Sequence, residues 1–126
     1  MMSPEEAVVG ELRSLRERIA GITDTVVAAA DGMLVAADSN GIHPESIAAL
    51  GSVALGLAKR TAATVGLGSL REVVTRCQSG FVVVYAIGDE ALLILLGDEG
   101  LNTVGLHAQS RHTIEQLGKL LNVSGL

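Results

Sequence analysis

The chain has 126 residues and a formal net charge of −5 at pH 7, with 48% apolar residues but one Phe, one Tyr and no Trp. This length suits one domain, residues 1–126, with an aliphatic core, and the acidic balance and scarcity of aromatic rings argue against nucleic-acid binding. The single cysteine, Cys77, excludes an internal disulfide, and the polar N-terminus is unlike a signal peptide, so we expect a cytoplasmic protein.

The first predicted elements are a helix and a hairpin. Ser3 and Pro4 are typical of a helix start, and an apolar stripe at helical spacing predicts a helix over residues 4–20. Two β-compatible runs follow, 25–30 and 33–37. The Asp31-Gly32 pair between them predicts a two-residue type I′ turn, in which both residues have positive φ.

Helix two is predicted over residues 44–65, because Pro44 and Glu45 are typical of a helix start. One apolar stripe is expected to lie on the sheet: Ile47, Leu50, Ala54, Leu57, Thr61 and Val65. A second stripe, mostly of small side chains, is expected to lie against another helix: Ala48, Gly51, Leu55, Ala58 and Ala62. Small residues permit close interhelical approach, although Ala and Gly are also simply abundant in this chain.

The last third of the chain predicts three strands and a helix. Residues 70–77 carry charges on both faces, which is typical of a strand at a sheet edge. Residues 81–87 and 91–96 are apolar throughout, so we expect a central hairpin covered on both faces. The polar break at 88–90 excludes one continuous membrane span. Asn102 is expected to cap a final helix over residues 103–121.

These elements predict an α/β fold, more fully an α+β sandwich, with the order α-β-β-α-β-β-β-α. The short turns make the roughly five-stranded sheet antiparallel. Helix two covers one face of that sheet and the two terminal helices cover the other, which explains why the central strands are apolar on both sides.

No motif predicts catalysis, a cofactor or a metal site. His107 and His112 are five residues apart, about 140° around a helix, so they cannot chelate one metal as an i, i+4 pair would. Cys77 has no histidine nearby in sequence, and the acidic turns lack the ligand spacing of a calcium loop. The Gly66-x-Gly68 segment lacks the lysine of a nucleotide-binding loop.

One exposed basic pair, Lys59-Arg60, lies near the end of helix two. It has two interpretations. The pair either interacts favourably with the C-terminal end of the helix dipole or contacts an acidic patch on a partner protein.

The whole pattern resembles the roadblock family, named for dynein light chains of the roadblock type. The resemblance lies in the hairpin over 26–36 with its Asp-Gly turn, the small residues of helix two, the strands 80–85 and 92–96, and the start of the last helix at 102–106. It implies a homodimer in which helix two and strand three meet their copies around a two-fold axis. Bacterial members typically partner small Ras-like GTPases and contribute no catalytic side chain.

Strand three supports this dimer through its own charges. If the two-fold axis passes through Val74, Glu72 of each subunit lies opposite Arg76 of the other, and opposite charges directly across antiparallel strands are stabilising. The expected dimer interface therefore combines the small-residue stripe with this strand. Its members are Ala48, Gly51, Leu55, Ala58, Ala62, Glu72, Val74 and Arg76.

We expect a non-enzymatic homodimeric regulator or scaffold in bacterial signalling or polarity, with a small Ras-like GTPase as its partner. We expect no nucleic-acid binding and no membrane insertion. Two alternatives stay open: a module that senses a small molecule in a pocket under helix two, and a structural assembly subunit without a GTPase.

Overall fold

The computed structural model describes residues 1–123, so residues 124–126 of the predicted domain lie outside the described part. Three helices and five strands follow the predicted order. They are α1 (Pro4–Arg18), β1 (Ile22–Ala29), β2 (Leu34–Asp38), α2 (Pro44–Thr64), β3 (Glu72–Cys77), β4 (Gly80–Ile87), β5 (Ala91–Asp98) and α3 (Thr103–Leu120). The α-β-β-α-β-β-β-α prediction is confirmed.

The five strands form one antiparallel sheet in the order β2-β1-β5-β4-β3. The predicted central hairpin is confirmed, since β5 is the middle strand and β4 lies beside it. β3 lies at an edge, as its mixed charges predicted. Its exposed residues contrast with the largely buried β5, because only one side of an edge strand has a neighbour.

Two apolar layers cover the sheet. Leu93 and Leu95 of β5 pack with α1 and α3, whereas the alternate residues Leu92 and Ile94 pack with α2. Side chains of a strand alternate between the two faces, so a strand covered on both sides needs an apolar residue at every position. This arrangement confirms the prediction of one long helix on one face and two terminal helices on the other.

The helices begin at capping side chains. The Ser3 hydroxyl accepts a hydrogen bond from the Glu6 amide at 3.1 Å, and Asn102 Oδ1 accepts one from the Gly105 amide at 2.9 Å. The cap of α2 is His43, to which no capping role was given in advance; its Nδ1 lies 3.3 Å from the Ser46 amide nitrogen. Each cap satisfies an amide that has no carbonyl partner within its helix.

The turn between β1 and β2 differs from the prediction. Gly32 has φ +91°, but Asp31 does not have positive φ, so the two-residue type I′ turn was wrong. The Gly32 amide donates to the Ala29 carbonyl and the Ala29 amide to the Met33 carbonyl, both at 2.9 Å, which closes a three-residue loop. Asp31 Oδ1 accepts the Met33 amide at 3.0 Å and stabilises this loop without a left-handed aspartate.

Candidate dimer and partner surface

The orientation of α2 about its own axis is the reverse of the prediction. Ala48 and Leu55 of the small-residue stripe are 0% and 3% exposed and pack onto the sheet. Leu50 and Leu57, which were expected to lie on the sheet, are 65% and 64% exposed. The assignments of these four residues were wrong, whereas Ile47, which was also expected to lie on the sheet, does pack against this layer. Ala48, Gly51 and Leu55 are therefore corrected from dimer-interface residues to buried residues of their own protomer.

Gly51 shows the physical reason for this orientation. A Cβ atom on Gly51 would overlap Cδ1 of Ile94 and lie 2.7 Å from its Cγ1, which is shorter than any normal contact between carbon atoms. The small residues of α2 thus permit close approach of the helix to its own sheet rather than to another helix. Ala58 and Ala62 lie on the same side of α2 and are half-buried. Their expected contact with a second subunit stays a prediction.

A second side of α2, about 120° around the helix from the buried residues, carries mostly apolar residues, of which Leu50 and Leu57 are exposed. We call Leu50, Ala54, Leu57 and Thr61 the outer stripe. Its four residues recur at i, i+4, i+7 and i+11 and lie roughly 140–200° around the helix from Ser52, at 100° per residue. The Ser52 hydroxyl donates to the Ala30 carbonyl in the β1–β2 turn at 2.6 Å. The outer stripe is therefore on the flank of α2 that looks toward the β3 edge.

The backbone of β3 is open on its outer side at every second residue. The Ala86 amide donates to the Arg71 carbonyl at 3.1 Å, so Arg71 and Ala86 form a hydrogen-bonded pair. In an antiparallel ladder such pairs alternate, so the N–H and C=O groups of Glu72, Val74 and Arg76 point away from β4. The structure thus places these three predicted interface residues together on one free edge.

The side chains of the same three residues lie on the α1/α3 face of the sheet. Val73 packs against the α2 layer, and alternation puts its neighbours on the other face. α3 packs on β4 and leaves β3 uncovered, so Val74 is 55% exposed. An exposed valine between an acidic and a basic residue, on an edge with free hydrogen-bonding groups, is suited to pairing with another strand.

Tyr85 lies beside this edge and pairs across the strands with Glu72. Burial raises the pKa of the Tyr85 phenol above its ordinary value of 10.0, a hydrogen bond with Ser110 opposes that rise, and the negative charge of Glu72 adds to it. The phenol is therefore a neutral, buried group that ties β4 to α3, and nothing in its surroundings activates it as an acid or base.

The basic pair Lys59-Arg60 lies four to five residues before the end of α2 at Thr64, and the last turn of the helix holds no basic residue. The effect of the helix dipole falls off within one turn, so the dipole interpretation is wrong. Arg60 is exposed and Lys59 is half-buried. Within residues 1–123, neither forms an ion pair.

The remaining titratable groups form no reactive cluster. Over the part of the chain that the structure describes, no group of three or more His, Cys, Asp or Glu is placed to hold a metal ion. Cys77, His107 and His112 are all exposed. None of the helices between residues 1 and 123 is long and apolar enough to cross a membrane.

Comparison with known proteins agrees with this architecture. Two uncharacterized proteins of Methanocaldococcus jannaschii are each 32% identical to the chain over 83 residues, which is 65% of the chain and 72% of either relative. The structure of the gliding protein MglB from Thermus thermophilus has a TM-score of 0.84 at 18% identity, over 97% of this chain and 93% of that one. A Roadblock/LC7 domain from Streptomyces avermitilis has a TM-score of 0.82 at 21% identity, over 90% and 97%.

At such low identity, the two solved structures establish the shared fold alone. The family follows from the sequence itself, because the model of the Roadblock/LC7 domain matches residues 8–97, which is most of the chain. The chain therefore belongs to the Roadblock/LC7 domain family.

Proposed function

We propose that this protein is a non-enzymatic homodimeric platform that binds a small Ras-like GTPase. Membership of the Roadblock/LC7 family supports this class of function, since the resemblance to the roadblock family implies small Ras-like GTPases as the partners of bacterial members. The dimer is supported by one observation: the open β3 edge and the exposed outer stripe of α2 lie on the same side of the protomer.

The backbone limits how two β3 strands can pair. Only residues with outward N–H and C=O groups can form the hydrogen-bonded pairs, so Glu72, Val74 and Arg76 must pair with one another. A two-fold axis through Val74 meets this condition and places Glu72 opposite the partner's Arg76 twice. Each opposite-charge pair contributes about 0.2–1 kcal/mol. This register is the one that we propose.

The outer stripe extends the same interface onto the α2 face. Joining the two β3 edges brings the two α2 helices toward each other, with Leu50 and Leu57 of each on the approaching flank. Burial of these leucines in the dimer would stabilise it by about 25 cal/mol for each Å² of apolar surface removed from water. The proposed interface therefore comprises Leu50, Ala54, Leu57, Thr61, Glu72, Val74 and Arg76.

A platform of this kind regulates its partner through differential affinity. If the dimer binds one nucleotide state of the GTPase more tightly than the other, it shifts the population toward that state by the difference in binding free energy. No side chain of the platform has to take part in phosphoryl transfer.

The test is a binding experiment with the small Ras-like GTPases of the source genome, each loaded with GDP or with a non-hydrolysable GTP analogue. We expect one of them to bind the immobilised dimer, with a clear preference for one nucleotide form. Equal binding of both nucleotide forms would support a scaffold role and contradict regulation by differential affinity. Binding of none of them would contradict the proposal.

A further inference from the structure

Two exposed apolar residues follow the outer stripe at the end of α2. Val65 is 60% exposed and Leu67 is 79% exposed. Val65 comes four residues after Thr61 and so continues the outer stripe, whereas Leu67 lies in the connector between α2 and β3. An exposed apolar surface that extends over neighbouring residues in this way is typical of an interaction site.

The backbone at the end of α2 determines where Leu67 lies. Gly66 has φ +70°, its amide donates to the Ala63 carbonyl at 3.3 Å, and the Leu67 amide donates to the Ala62 carbonyl at 3.0 Å. These bonds form a Schellman motif, in which the residue after the left-handed glycine usually packs on an apolar side chain in the last turns of the helix. The side chains available there are those of Ala62 and Thr61, which are too small to cover a leucine. The Leu67 side chain therefore stays exposed.

The connector leads from α2 to the open edge of the sheet. Leu70 packs in the α2 layer, and β3 begins two residues later. Leu67 therefore lies within a few residues of the free edge. In the proposed register centred on Val74, Arg71 lies opposite the partner's Cys77, so the connector runs beside the β3–β4 turn of the other subunit.

The area that a stable dimer requires supports a larger interface than the outer stripe and the β3 edge provide. Specific protein–protein interfaces bury about 800 Å² on each partner and involve roughly 20–30 residues a side. The interface residues proposed above are far fewer, and Ala54 and Thr61 among them have small side chains. Val65 and Leu67 continue the same surface with large and exposed apolar side chains.

We propose that residues 65–69, named here the connector arm, pack on a second copy of this chain beside its β3–β4 turn. The inference rests on the proposed function, because it adds a contact to the proposed dimer. The interface of a two-fold dimer is formed by the same surface of both subunits, so the contact is made twice. The two connector arms thus enclose the paired β3 strands at both ends.

A matched pair of variants tests the connector arm. Leu67→Ser removes its most exposed apolar side chain, and Val104→Ser removes one that is 80% exposed in the first turn of α3, outside the proposed interface. Sedimentation equilibrium measures the dissociation constant of each dimer. We expect Leu67→Ser to raise this constant at least about tenfold, because each dimer buries two copies of the leucine, and Val104→Ser to change it less than about twofold.

The single cysteine gives a second readout, which reports position. Glu72 and Cys77 lie at opposite ends of β3, about 16 Å apart by the usual rise of a strand. Leu67 precedes Glu72, so antiparallel pairing brings the partner's Cys77, and not the protomer's own, close to the connector arm. A short bismaleimide should therefore join Leu67→Cys into a covalent dimer on a denaturing gel. The wild type and Val104→Cys should stay monomeric on the same gel.

The outcomes separate the connector arm from the dimer itself. Equal dissociation constants for Leu67→Ser and Val104→Ser, or a dimer in which Leu67→Cys is not cross-linked, would overturn the connector arm and leave the proposed dimer standing. A wild-type protein that sediments as a monomer would overturn the proposed dimer and the connector arm together.

Discussion

At the scale of single residues, Gly51 sets how closely α2 approaches the sheet. We predict that Gly51→Ala lowers the free energy of unfolding by about 1–3 kcal/mol, because the added methyl overlaps Ile94, which is 1% exposed and has little room to move. The measurement is urea unfolding followed by circular dichroism.

Gly56 provides a matched control in the same helix. It has no atom within 4 Å of the position a Cβ would take, so Gly56→Ala should raise the free energy of unfolding by about 0.5–1 kcal/mol through helix propensity alone. If Gly51→Ala were as stable as Gly56→Ala, the close packing of α2 on the sheet would not be as described.

Tyr85 makes stability depend on pH in the alkaline range. Its folded pKa is raised above 10.0, so the unfolded chain loses the phenolic proton before the folded protein does. The stabilisation from the neutral phenol is complete below about pH 10 and is lost as the pH rises from there through the folded pKa. Thermal unfolding at increasing pH should show this loss, and Tyr85→Phe should reduce it.

Because Tyr85 is the only tyrosine, phenolate absorbance reports on it alone. In the native protein this absorbance should rise at higher pH than it does for free tyrosine. Titration at the free-tyrosine position would contradict the burial of this group beneath α3.

At the scale of elements, the contribution of the α3 N-cap to the free energy of unfolding can be measured by itself. Asn102→Ala removes the acceptor for the Gly105 amide and should lower the free energy of unfolding by about 1 kcal/mol. Asn102→Asp retains an acceptor in the same place and should stay close to the wild type. Denaturant midpoints of the three proteins measure both effects, and an equal loss in both variants would exclude capping as the cause.

α2 is the element that the whole arrangement depends on, because it carries two apolar sides with different uses. Its small-residue side is buried against the sheet, and its outer stripe is exposed in the protomer. An amphipathic helix of a monomeric protein needs only one apolar side. The second one therefore supports the proposal that another subunit covers it.

At the scale of the whole molecule, the dimer register can be tested by charge reversal. Glu72→Arg would place an arginine opposite the partner's Arg76 twice and should weaken the dimer, whereas the double variant with Arg76→Glu restores opposite charges and should recover part of the loss. Sedimentation equilibrium measures the dissociation constants.

Glu115→Arg on the exposed side of α3 changes the net charge by the same amount and should leave the dimer intact. Identical sedimentation of the wild type, Glu72→Arg and the double variant would reject the register centred on Val74.

Much of the fold followed from local patterns in the sequence. Capping residues such as Ser3 and Asn102 marked helix starts, and the uninterrupted apolar runs on both sides of residues 88–90 identified the covered central hairpin. These features are determined by neighbours in the chain, so periodicity and turn chemistry suffice to predict them. The edge position of β3 followed in the same way from its charges.

Two features were decided only by the tertiary structure. Asp31-Gly32 is compatible with more than one hairpin turn, and the register of β1 against β2, with its irregularity between Val27 and Ala28, selects the three-residue loop. By composition alone, either apolar side of α2 could be the one that is buried against the sheet. The fit of Gly51 against Ile94 decides which one meets the sheet, because steric contact between residues distant in sequence leaves no trace in local periodicity.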